Sequence, residues 1–140
     1  MPDDLIPIED KLRPGEILDP ASHLIMRGWP VTVEGILANA DRTRVRYSLA
    51  RVPFVAISAE VTMAGWDVDS ILMGSRLRSR RSYAITRVGD LMAAGFDLAP
   101  TFQAPHYSVV LPSYTQEAAA RLVEVFGEVK PNPHFRRRDP

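Results

Sequence analysis

The chain has 140 residues, 46% of them hydrophobic, and a formal charge of zero; this suits one folded domain with its own core and excludes a wholly disordered chain. It contains no cysteine, which excludes disulfides, thiolate metal sites and cysteine nucleophiles and fits a reducing, cytoplasmic setting. No apolar run approaches the roughly 18–20 residues of a membrane span, and the opening residues, Met1-Pro2-Asp3-Asp4, are acidic where a secretory signal would be basic.

Residues 1–20 contain Pro2, Pro7, Pro14 and Pro20, spaced too closely for a helix or a central strand. They predict an extended arm in which Leu5, Ile6 and Ile8 lie against something apolar. Residues 23–27 read as a short strand ending at Gly28. After Pro30, Thr32 is placed to cap a helix over 32–41 with Val33, Ile36, Leu37 and Ala40 on one face. Residues 44–52 fit two templates. Alternation of Val45, Tyr47 and Leu49 with Arg46, Ser48 and Ala50 suits a half-exposed strand, and continuation of the preceding helix is the alternative.

Residues 54–61 form a clear strand, rich in β-formers and flanked by turn signals. Asp67 is placed to cap a short helix ending at Gly74, residues 83–88 read as a strand, and Asp90 is placed to cap a short helix over 91–94. A loop holding Pro100 and Pro105 leads into a strand over 106–111. Ser113, with Gln116 three residues later, suggests a capping box for a helix over 114–126 that Gly127 closes. Ala119, Leu122, Val123 and Phe126 make its apolar face. Trp29 and Trp66, each beside a turn, read as lids on the core.

The helices near 67–73 and 90–94 are too short to cover a sheet as parallel crossovers do. The expected fold is therefore α+β: a single small domain with a mixed or mainly antiparallel sheet packed against two longer helices. Its expected parts are an acidic arm over 1–20, a body over 21–128 and a basic, proline-broken tail over 129–140, free or laid on the arm.

Charge is unevenly distributed. The arm holds six acids against two cations, a net of −4, whereas residues 42–87 carry nine arginines against three acids, a net of +6. Fifteen of the seventeen cations are arginine, whose fork binds phosphates and carboxylates bidentately. A polyanion such as RNA, or an acidic protein, is the partner this implies.

There is no glycine loop of the GxGxxG or GxxxxGK kind, no HExxH and no GxSxG, so neither a cofactor nor a metal is expected. What remains is a constellation. Glu60 closes one strand, Arg76, Arg78, Arg80 and Arg81 precede the next, and His106 opens a third. Were those strands neighbours, a carboxylate, several guanidiniums and an imidazole would converge, with Tyr107 and the arginines as substrate contacts. Cleavage of RNA by its 2′-hydroxyl needs a base, a cation for the phosphorane and an acid for the leaving oxygen.

The order Glu60, arginine run, His106 resembles that of the small microbial ribonucleases and related toxin nucleases. The resemblance implies Glu60 as base, Arg78, Arg80 or Arg81 as phosphate clamps, His106 as acid, and an antitoxin-like acidic partner. A second resemblance rests on Arg27-Gly28 and Ser58, which look like the opening of an ADP-ribosyltransferase, where they hold NAD. That family also needs a late glutamate at a strand start, where this chain has His106-Tyr107-Ser108. The same three residues look like half of a two-histidine phosphoesterase motif, whose partner would be His23-Leu24-Ile25. Besides these enzymatic readings stands a non-catalytic module whose arginine face or tail contacts nucleic acid or an acidic protein.

Overall fold

The structure is a computed structural model that describes residues 5–14, 18–28, 31–74 and 76–135. In chain order these form β1 (Ile6–Pro7), a 3-10 turn (Ile8–Lys11), β2 (Leu24–Gly28), α1 (Val33–Arg46), β3 (Tyr47–Leu49), β4 (Val52–Pro53) and β5 (Ala56–Val61). There follow α2 (Val68–Gly74), a second 3-10 turn (Arg76–Ser79), β6 (Ser82–Arg87), α3 (Val88–Ala93), β7 (Asp97–Ala99), β8 (His106–Val110), α4 (Gln116–Phe126) and β9 (Lys130–Pro131).

Six strands make one antiparallel sheet in the order β7-β8-β5-β2-β6-β9. A small sheet sets β1 parallel to β3 and closes β3 onto β4 through Ala50 and Arg51, both at positive φ. The α+β expectation is met. Alternation of side chains decides the two faces of the large sheet. Ile57, Ala59 and Val61 of β5, with Tyr107 and Val109 of β8, pack against Ile36 and Ala40 of α1 and Leu122 and Phe126 of α4. Leu122 is fully buried there, on the apolar face that its spacing predicts.

The opposite face is covered in two pieces. Met26 packs against Ile71 and Leu72 of α2 and Leu77 of the second 3-10 turn, with Trp66 as a lid. Further along, Ile8 of the arm joins Phe54 and Ala56, flanked by Tyr47 and Val110. Between these pieces runs a strip formed by Ser58 and Glu60 of β5 and His106 and Ser108 of β8.

Among the described residues β2 pairs with β5 at Val61 and Glu60, and the rest of that edge of β5 bonds to other partners. Helix α1 supplies them. Asn39 Oδ1 accepts from Ser58 N at 3.1 Å, and Thr43 Oγ1 accepts from Ala56 N at 3.0 Å and donates to Ala56 O at 2.8 Å. Side chains four apart on a helix thus complete the strand's hydrogen bonding.

Several boundaries differ from those expected. Residues 44–52 satisfy both templates in succession, helix to Arg46 and then strand. Helix α4 is capped by Thr115, which has the extended backbone a cap needs and accepts from Ala118 N, while Ser113 bonds the Thr115 hydroxyl instead. Helix α3 starts at Val88, because Val88 and Leu91 are both drawn into the core; Asp90 lies within its first turn and does not cap it. Asp67 does cap α2, accepting from Ser70 N at 2.8 Å, and this bond holds its carboxyl below the ordinary carboxylate range.

The tail is stitched down rather than free as far as Phe135. β9 extends the sheet, the buried Asn132 donates through Nδ2 to Leu77 O and Arg80 O, and His134 Nε2 lies 3.1 Å from Asp69 Oδ1. Trp29 and the tail arginines, Arg136, Arg137 and Arg138, lie outside the described residues. No described helix is long and apolar enough to cross a membrane.

Candidate functional site

β5 and β8 pair so that Glu60 stands directly opposite His106 and Ser58 opposite Ser108. Directly opposed residues of an antiparallel pair share a face at close range. The carboxylate and the imidazole, far apart in the chain, therefore belong to one strip. Glu60 is 2% exposed and His106 is half-buried.

A polar chain fixes the imidazole. His106 Nδ1 lies 2.9 Å from Thr101 Oγ1, and the fully buried Thr101 hydroxyl lies 2.9 Å from Ser108 Oγ. When Thr101 donates to Ser108, it accepts from a protonated Nδ1, and the neutral ring then presents Nε2 as its basic atom. The arm holds this loop in place. Arg13 Nη1 donates to His106 O at 2.6 Å and to Thr101 O at 2.9 Å, and the guanidinium lies 4.6 Å from the centre of the Tyr107 ring. Among the described residues its buried Nε and Nη2 have no hydrogen-bond partner, and the ring face lies against that part of the cation.

Phe102 stands at φ 58°, in the left-handed region that a non-glycine residue enters only when its surroundings impose it. Phe102 N donates to Lys11 O at 2.8 Å. The ring is left 42% exposed, edge-to-face with His106 at 5.1 Å and with Tyr47 at 6.2 Å.

A broad, open depression of about 760 Å³ lies over Ser58 and His106, lined also by Asp10, Lys11, Phe102 and Gln103; Glu60 is not in its wall. Its volume falls in the usual range for ligand sites. A narrower cleft of about 200 Å³ adjoins it, sharing Ser58 and Phe102, with Asn39, Arg42, Arg46 and Tyr47 on its walls. That volume is too small for a whole ligand and suits one group of a larger one.

The structure brings Glu60 and His106 together but places the expected arginines elsewhere. Arg78, Arg80 and Arg81 are exposed around the second 3-10 turn and the start of β6, with β2 between them and β5, and they line neither cavity. Arg81 stacks over Phe135 at 4.9 Å, and the stem of Arg80 lies against Gly28, where a Cβ would meet Arg80 Cγ at 3.0 Å. Arg76 begins that turn, and its side chain lies outside the described part. Tyr107, expected as a substrate contact beside His106, points the other way. Successive strand residues alternate, and its ring is 2% exposed in the helix-side core. Arg27 and Ser58, the pair that resembles an ADP-ribosyltransferase opening, also fall on opposite faces. Arg27 pairs with Ala84 of the helix-side core, whereas Ser58 shares the strip with Glu60. His23 bonds Asp19 at the start of β2, and no three His, Asp or Glu among the described residues are grouped to hold a metal.

Sequence reasoning missed Phe102, Gln103 and the pair Arg42 and Arg46. The spacing of the two arginines, four apart on a capped helix, was the available signal. No family model, curated protein or solved structure matches the chain. The site is therefore read from its own chemistry.

Proposed function

We propose that the protein binds single-stranded RNA in the cavity above Ser58 and His106 and cleaves it, with Glu60 and His106 as the acid–base pair. The observation that carries this reading is the register that sets Glu60 opposite His106 on one face. The carboxylate takes the proton of the ribose 2′-hydroxyl, whose oxygen attacks the adjacent phosphorus. A cation at the rim steadies the dianionic phosphorane, and the imidazolium gives its proton to the departing 5′-oxygen. The products are a 2′,3′-cyclic phosphate and a 5′-hydroxyl. Phe102 offers a stacking face for one base, as single-strand binders do, and Gln103 offers an amide for a base edge. The same reading makes the protein a cytoplasmic, toxin-type nuclease, with an acidic protein partner for the exposed Arg78, Arg80 and Arg81.

One observation favours a second reading, a module that binds RNA without cutting it. Glu60 is 2% exposed, whereas a general base must come within about 2.6–3.2 Å of its proton or reach it through one water. The experiment is to measure cleavage of a fluorophore–quencher oligoribonucleotide beside its binding. For the nuclease, Glu60→Gln and His106→Ala each lower the cleavage rate by about 10²–10⁴ while affinity stays nearly unchanged. Binding without cleavage by the unmodified protein selects the module, and absence of binding removes both readings.

A further inference from the structure

The three arginines at the end of α1 are not equivalent. Arg44 is used within the fold: its Nη2 lies 2.7 Å from Asp41 Oδ1 and its guanidinium lies 4.4 Å from the centre of the Tyr114 ring. Arg42 and Arg46, one turn apart, share a different face and both line the narrow cleft. Arg46 lies over the Tyr47 ring at 5.6 Å. Like charges at this spacing repel, and no acid lines the cleft among the described residues. The larger cavity, by contrast, sets Asp10 beside Lys11.

The other polar groups of the cleft are suited to the same kind of ligand. Ser58 N can only donate, so the Asn39 atom facing it is the amide oxygen, and the two N–H donors of Nδ2 are left for other partners. Ser58 and Ser108 add hydroxyls. Two guanidiniums, an amide and hydroxyls form a donor-rich pocket of about 200 Å³, room for one compact acceptor-only group.

We propose that the Arg42–Arg46 cleft is a phosphate subsite. It takes the phosphate next to the one presented to His106, so the preferred ligand is an oligonucleotide rather than a mononucleotide. The shared walls, Ser58 and Phe102, make the two cavities one continuous path for a strand. The extension to a strand rests on the RNA reading above; the anion site does not.

Two titrations separate them. In the first, inorganic phosphate is added to the full chain while backbone amide signals of Asn39, Ser58 and Phe102 are followed by NMR. In the second, a short single-stranded oligoribonucleotide is titrated at several salt concentrations. Arg42→Ala/Arg46→Ala should abolish the phosphate-induced shifts, weaken RNA binding about tenfold or more per arginine, and lower the salt slope by about 1.4. Arg42→Lys/Arg46→Lys should restore the salt slope but only part of the affinity, because a lysine lacks the fork. Replacing Arg78, Arg80 and Arg81 by alanine should leave the phosphate shifts unchanged. Both residues of the pair are exposed, and thermal melting checks that the variants fold. If RNA and phosphate bind the double alanine variant as they bind the unmodified protein, the subsite is refuted while the RNA reading stands. If phosphate shifts depend on the pair but RNA does not bind, the subsite stands and the RNA reading falls.

Discussion

Thr101→Val replaces a hydroxyl by a methyl group of similar size, so it changes the polar chain at His106 without opening a cavity. The hydroxyl is fully buried and bonds His106 Nδ1 and Ser108 Oγ, each at 2.9 Å. Its loss strands a group on either side. Ser108 is buried and bears the larger share, about 1–3 kcal/mol for an unsatisfied polar group. His106 is half-buried and recovers part of its loss from water. The expected net cost is about 2 kcal/mol. At an m-value of roughly 2 kcal/mol/M, the urea midpoint falls by about 1 M with an unchanged slope. Adding Ser108→Ala to the valine variant removes the stranded hydroxyl and should recover about 1 kcal/mol, although Ser108→Ala alone destabilises. The nitrogen chemical shifts of the His106 ring should also move toward mixed tautomers. A valine variant as stable as the unmodified protein, or a double variant whose losses simply add, would refute the reasoning.

Other perturbations probe other parts of the fold. Leu122→Ala should cost about 2–5 kcal/mol in urea unfolding, since its side chain is wholly buried between α4 and the sheet. Asn132→Ala removes the donor shared by Leu77 O and Arg80 O, so limited proteolysis should cut the segment after β9 faster while the body stays intact. The Asp67 carboxyl is held low chiefly by the Ser70 backbone N–H. Its contribution is thus present above the unfolded carboxyl pKa and lost as pH falls through the lower folded value. Asp67→Asn keeps an acceptor at the cap, and its urea midpoints should decline less than those of the unmodified protein below about pH 4; parallel curves would show that the cap does not titrate.

The strands over 54–61 and 106–111 are legible because runs rich in β-formers are bounded by Pro53 and Pro112. The packing face of α4 follows from spacing alone. What spacing could not supply is register. Whether Glu60 meets His106 depends on which residue of β8 faces which residue of β5, and a slip of one position would have sent one of them to the helix side. The same alternation removed Tyr107 from the site. The arginines were misjudged for a related reason. Nine arginines over 42–87 read as one basic stretch, but the helix sorts Arg42 and Arg46 to the cleft and Arg44 to Asp41, while the 3-10 turn and the residues after it carry Arg78 and Arg80 two strands away. The arm was expected to lay Leu5, Ile6 and Ile8 against something apolar, and Ile8 does so. Ile8, 1% exposed beneath Phe54, makes it part of the core, so deleting it costs packing as well as charge.

Asn39 and Thr43 grip the backbone of β5 from the same helix that carries Arg42 and Arg46. Turning α1 to reposition either arginine would tear those bonds from the strand that holds Ser58 and Glu60. The backbone that carries the two cations and the strand therefore move as one body, while the exposed guanidiniums stay free to adjust on their stems. In the proposed subsite the backbone is ordered before a ligand arrives, so the ordering cost falls on the two arginine side chains alone. It should bind quickly and without a slow adjusting phase. The Ser58 and Ala56 amides, shielded by a helix where a strand would otherwise lie, should exchange their hydrogens as slowly in the free protein as in the bound one.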